Sequence, residues 1–130
     1  MHLQLNYQSG KPVYLQIVDQ IKAATASGML PEGEWLPSIR PLAEQLRVNR
    51  NTVAKAYADL EREGIIEAQQ GKGFVVTRNH TPFKKDLCRK MLTEAIDGVI
   101  VQAHHYQFSH AELLLLLEKR LSEFAGKTKS

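Results

Sequence analysis

Only two residues, Arg47 and Val48, separate one helical run of apolar side chains from the next, and few folds accommodate so tight a joint. Before them, Ile39, Leu42, Ala43 and Leu46 fall on one face of a helix, with Arg40, Glu44 and Gln45 outside. After them, Val53, Ala56, Tyr57 and Leu60 repeat at the same period. Asn49 has the short side chain that caps a helix start, and Gly64 supplies the left-handed residue that commonly ends one. Two helices joined this closely make a helix-turn-helix.

The second of these helices opens with Arg50, Asn51 and Thr52, and Lys55 follows on its open side. Cations and uncharged donors suit the positive end of a helix dipole poorly, because that end prefers carboxylates. A partner carrying negative charge reverses the cost. Phosphate binds free N–H groups at helix starts, and Arg, Asn and Thr read base edges in a major groove. The competing reading is an ordinary surface helix with a polar first turn.

Upstream, Leu3-Gln4-Leu5 alternates as a short lead-in strand or arm, and Pro12 opens a helix to about Ser27. Tyr14, Ile17, Val18, Ile21 and Ala24 form its apolar face, and Gly28 stops it. Residues 29–35 read as a loop by Pro31 and Gly33. Ser38 is a natural N-cap, and Pro41 falls in the first turn, where its missing N–H is harmless. Behind Gly64, residues 65–70 and 74–77 read as two strands around Gly71-Lys72-Gly73, a hairpin placed as a wing.

The ordered set Leu36-Pro37-Ser38-Ile39-Arg40, Asn49-Arg50-Asn51-Thr52-Val53, Leu60-Glu61-Arg62-Glu63-Gly64 and Gln70-Gly71-Lys72-Gly73-Phe74-Val75 resembles the winged helix-turn-helix domain of GntR-family bacterial transcription regulators. The resemblance runs from Pro12 to Val76, about half the chain. It implies that Arg40 touches phosphate or a base near the groove edge, and that Arg50, Asn51 and Thr52 enter the major groove. Gln70, Gly71 and Lys72 would bring the wing tip to the minor groove. Ala54 stands where many members carry a basic residue, with Lys55 its nearest substitute, and Pro41 stands where an acidic one is common. Local alternatives remain. Arg40 is also placed to pair with Glu44, Gly71-Lys72-Gly73 also reads as a plain hairpin turn, and Trp35 reads as a packing residue beside Leu36 before a base-stacking one.

Residues 78–82 are polar, hold Pro82 and read as a hinge. Beyond it, Leu87, Met91, Leu92, Ala95, Ile96, Val99, Ile100 and Ala103 keep a helical stripe, and residues 102–108 carry a reversal. Ser109-His110-Ala111-Glu112 matches a capping box opening a last helix, in which Leu113 to Leu117 are consecutive. Five leucines in a row point all around a helix, so one neighbouring helix cannot cover them. A second copy is the economical partner, with Leu92, Ile96, Val99, Leu113, Leu114, Leu117 and Leu121 the expected dimer contacts. A short helical tail of this kind resembles the YtrA subfamily, and it is too small to repeat the ligand-binding domain of other subfamilies. A small-molecule effector is left open.

The expected fold is therefore α+β, with a winged helix-turn-helix over residues 1–78 and an all-helical dimerisation hairpin over 79–130. A net charge of +3 permits nucleic-acid binding without requiring it. The chain lacks a long apolar run or a signal-peptide start, and its single cysteine, Cys88, cannot form an internal disulfide, so a cytoplasmic protein is expected with Cys88 a buried small hydrophobe. His104, His105 and His110, with His80 and Cys88 elsewhere, lack a chelating i, i+4 histidine pair, so no metal, cofactor or catalytic residue is assigned. The expected function is sequence-specific repression of transcription by a homodimer on a pseudo-palindromic double-stranded DNA operator. A winged-helix module that binds protein is the alternative, and it would hold its partner at high salt where a DNA reader lets go.

Overall fold

A computed structural model describes residues 1–77 and 85–128, with side chains as far as Ala125. The chain divides into two compact units, Met1–Pro82 and Phe83–Ser130. The hinge expected at residues 78–82 lies outside the described residues.

The first unit runs α1 (Val13–Ser27), β1 (Trp35–Leu36), α2 (Ile39–Leu46), α3 (Arg50–Arg62), β2 (Ile66–Gln69) and β3 (Gly73–Val76). Its core joins Ile17, Val18 and Ile21 of α1 to Leu42 and Ala43 of α2, all four apolar residues of the α3 stripe, and Leu36, Ile66 and Val76 of the sheet. The strands form an antiparallel sheet in the order β1-β3-β2. β1 falls where a loop was expected: two residues are too short for alternation to show, yet Trp35 pairs with Val75 and Leu36 with Phe74. Strand geometry then sends the neighbours to opposite faces, Leu36 into the core and Trp35 outward at half exposure. Trp35 is thus not the packing residue the sequence suggested.

The lead-in segment is an arm, paired by side chains in place of a strand. Gln16 accepts from the Asn6 N–H at 2.7 Å and donates to its carbonyl at 2.8 Å, and Gln20, one turn on, does the same for Gln4 at 2.9 and 2.7 Å. Two amides spaced i, i+4 therefore act as a short sheet edge. Ser38 occupies the N-cap of α2 but makes no capping bond. The N3 position, whose N–H an N-cap oxygen commonly takes, is Pro41, which has none.

Both α2 and α3 end alike. Val48 N–H bonds Ala43 O and Arg47 N–H bonds Glu44 O, as Ile65 bonds Leu60 and Gly64 bonds Glu61. This pair of hydrogen bonds needs a left-handed residue, which is Gly64 (φ 77°) after α3 but Arg47 (φ 58°) after α2. An L-residue pays about 1–2 kcal/mol for that conformation, against about 0.5–1 kcal/mol for the extra freedom of an unfolded glycine. Arg47→Gly is accordingly expected to stabilise the unit by up to ~1 kcal/mol, raising Tm by roughly 4–8 °C at most. A lowered Tm would refute this account of the joint.

The second unit is α4 (Lys85–His105) and α5 (His110–Thr128). α4 runs further than the expected reversal at 102–108. It is closed by Phe108 N–H to Ala103 O and Gln107 N–H to His104 O, with Gln107 left-handed at φ 61°. The capping box forms in full: Ser109 N–H donates to Glu112 Oε1 at 2.8 Å and Glu112 N–H to Ser109 Oγ at 3.1 Å. Those bonds, the backbone one foremost, hold the Glu112 carboxyl below its ordinary value. A lowered carboxyl stabilises above the ordinary carboxylate range, and that contribution fades as pH falls through the folded-state value. Protection of the amides at the start of α5, taken relative to their intrinsic exchange rate at each pH, should therefore fall with acid. Glu112→Gln, which keeps the acceptor without the charge, should remove the step.

Away from the turn, α4 and α5 make little contact with each other. Ala103 is the one described residue of α4 that is buried, and none of α5 is. Cys88 is half-buried, so the fully buried position expected for it is not found.

Candidate nucleic-acid interface

Asn49 sits at the N-cap of α3 and its side chain accepts from the Asn51 N–H at 2.7 Å. This fixes the first turn, which holds no acidic residue. Arg50 and Asn51 are exposed there, Thr52 is half-buried, and Lys55 is exposed one turn on. The opposite face of α3 is sealed into the core by Val53, Ala56, Tyr57 and Leu60. Asn51, Thr52 and Lys55 share one open cleft of about 280 Å³ with Val13 and Tyr14 of α1. Arg50 is not among the cleft's lining residues.

The sequence reading missed the contribution of α1. Tyr14 counted there only as one member of an apolar stripe, and periodicity does not say what stands across from it. Its ring lies under the Lys55 ammonium, with Nζ 4.1 Å from the ring centroid.

The wing turn is Gln70-Gly71-Lys72, all exposed, between β2 and β3, which are in register from Ile66↔Val76 to Gln69↔Gly73. Lys72 N–H closes it on Gln69 O at 2.8 Å, and Gly71 supplies the positive φ of 76° that the third residue of such a turn requires. Two contacts tie β3 to the helices. Phe74 stacks edge-on against Tyr57 of α3 with centroids 4.8 Å apart, and the site of a Cβ on Gly73 lies 3.7 Å from Ser38 Oγ. The wing therefore springs from beside the start of α2, where Arg40 stands. Arg40 is strongly exposed, with Nε 3.7 Å from Glu44 Oε1, a surface pair of small worth.

Charge pairing sorts the cations of this unit. Lys11, Lys22, Arg40 and Arg62 each face a carboxylate, on Asp19, Glu63, Glu44 and Asp59 respectively. Among the described residues Arg47, Arg50, Lys55 and Lys72 have no such partner. Those four belong to the joint, the α3 helix and the wing.

In the second unit the expected dimer residues stand largely in solvent. Leu92, Ile96, Val99, Leu114, Leu117 and Leu121 are exposed, and Leu113 is half-buried. Ile96, Leu113, Leu114 and Leu117 line an apolar groove of about 390 Å³, and Val99 with Leu113 lines a second of about 170 Å³. Leu92 and Leu121 line neither of these grooves. His104 and His110 border the larger one. Among the described residues no group of three or more His, Cys, Asp or Glu side chains is placed to hold a metal, and no helix is long and apolar enough to cross a membrane.

Known proteins share this arrangement. The family model described as "Bacterial regulatory proteins, gntR family" matches residues 13–76. The HTH-type transcriptional repressor YtrA of Bacillus subtilis (strain 168) is 38% identical over 103 residues, 79% of either chain. A transcriptional antiterminator from Listeria monocytogenes EGD-e superposes with a TM-score of 0.81 at 29% identity, over 95% of this chain and 92% of that one. AraR(DBD) in complex with operator ORX1 does so with a TM-score of 0.53 at 28% identity, over 59% of this chain and 99% of that one. With its helix-turn-helix, its wing and a relative matched across both units, the chain belongs to the GntR family of bacterial regulatory proteins.

Proposed function

We propose that the protein is a transcriptional repressor that binds a pseudo-palindromic operator as a homodimer in the cytoplasm. The carrying observation is the set of cations without carboxylate partners among the described residues, Arg47, Arg50, Lys55 and Lys72, on the joint, the α3 helix and the wing. Unpaired cations there meet DNA phosphate without first breaking an internal ion pair. Lys55 and Lys72 supply salt-dependent affinity directly, and Arg40 adds to it on leaving Glu44, since that exposed pair is of small worth. Arg50, Asn51 and Thr52 read bases from the opening of α3, and Gln70 and Gly71 carry the wing tip toward the minor groove. Homodimerisation through α4 and α5 sets two such units on two half-sites, and repression follows from occupying the promoter. The mechanism is binding alone, without a catalytic step. The effector, where one acts, is a small molecule of unassigned class.

The test is fluorescence anisotropy on a duplex selected from a randomised library, with scrambled duplex as control. Tight binding to the selected duplex alone, falling steeply with salt, is the expected result. Arg50→Ala should cost about 1–3 kcal/mol, roughly 5- to 150-fold, without dissociating the dimer. Equal affinity for both duplexes, or binding that tolerates high salt, would favour the protein-interaction alternative.

A further inference from the structure

We infer that Tyr14 is a positioning residue for Lys55, its ring holding the ammonium group at the opening of the α3 helix where DNA phosphate arrives. The inference rests on the DNA-binding reading above and adds a residue of α1 to it. At 4.1 Å from the ring centroid, Lys55 Nζ lies well inside the range in which a cation is attracted to an aromatic face. Lys55 is otherwise a point charge on a flexible stem, which loses rotamer freedom whenever it is fixed. Tyr14 has less such freedom, because it is half-buried and packs against the core that Ile17, Val18 and Ile21 help to form.

The chemistry of the partner matters. The other paired cations of this unit are held by carboxylates, which neutralise them and compete with phosphate. An aromatic face orients the ammonium and leaves its full charge available. Asn51 and Thr52 open onto the same cleft, so the oriented cation stands beside the residues assigned to base reading.

The experiment is a double-mutant cycle on operator affinity, joined to a measurement on the free protein. Tyr14→Leu should weaken binding about two- to fivefold, the worth of an exposed cation–ring pair, and Tyr14→Phe should leave it unchanged. Lys55→Gln should lower the salt slope by about one, and in that background Tyr14→Leu should have no further effect. In the free wild-type protein the Lys55 ε-methylene protons should resonate upfield under the ring current, a shift kept in Tyr14→Phe and lost in Tyr14→Leu. Equal losses from Leu and Phe would assign the effect to the hydroxyl, and an undiminished loss without Lys55 would make the two residues independent. Either result overturns the proposal. Wild-type protein with the upfield shift but no selective duplex binding would overturn the DNA reading, and the positioning role with it, while leaving the ion–ring pair measured.

Discussion

Leu117→Asp is expected to turn the proposed dimer into a monomer and to weaken operator binding by about a hundredfold or more. The reasoning starts from what the second unit leaves uncovered. Leu92 is 63% exposed, Leu117 53% and Leu121 62%, along helices that barely touch beyond their turn. Covering the exposed part of one such side chain is worth about 1–2 kcal/mol, so several buried against a second copy offset the usual cost of association. A carboxylate at Leu117 enters the groove shared with Ile96, Leu113 and Leu114, where an unpaired charge is strongly disfavoured. Operator affinity falls with the dimer, because linking two half-site readers adds about 10²–10⁴ over either alone. The core of the first unit is built from that unit's own helices and strands, so its fold should survive. Sedimentation velocity reads the mass and anisotropy the affinity. A variant that stays dimeric with full affinity would place the interface elsewhere.

Where the chain advertises its structure, it does so through local chemistry. The α3 helix is bounded by Asn49, whose cap bond forms, and by Gly64, whose φ is positive, and its four apolar stripe residues are all buried. The capping box of α5 is equally local and equally legible. What escaped reading depends on residues far apart in sequence. β1 exists only because β3 comes to lie beside it some forty residues later, and two residues carry no periodicity of their own. The arm is ordered by Gln16 and Gln20, which in isolation look like two polar positions on a surface helix. The Lys55 ring contact is likewise a product of α1 packing across α3. In the interface itself, residue types named the candidates and the i, i+4 spacing offered the Arg40–Glu44 pair, but only the structure showed which cations have no carboxylate partner among the described residues.

Tyr57→Ala should cost about 3–5 kcal/mol, the range for removing a buried aromatic ring, whereas Tyr57→Phe should cost only about 1 kcal/mol. Tyr57 is 1% exposed and does three things at once. Its ring fills the core between α3 and the sheet and meets Phe74 edge-on, and its hydroxyl donates to Pro37 O at 2.7 Å. Burial pushes the phenol well above its ordinary value, so it stays a protonated donor throughout the working pH range. Through Pro37 it holds the segment leading into α2 and Arg40, and through Phe74 it holds β3 and the wing, so one α3 side chain sets the angle among all three expected DNA-contacting parts. A small domain has little stability to spare, and a loss of this size leaves much of the alanine variant unfolded near physiological temperature. The phenylalanine variant separates the roles: it keeps the ring and the wing contact and loses only the bond to Pro37. Urea melts should therefore show a large fall in midpoint for alanine and a small one for phenylalanine. A drop of less than about 1 kcal/mol for alanine would mean that the wing and the α2 start are fixed by other contacts.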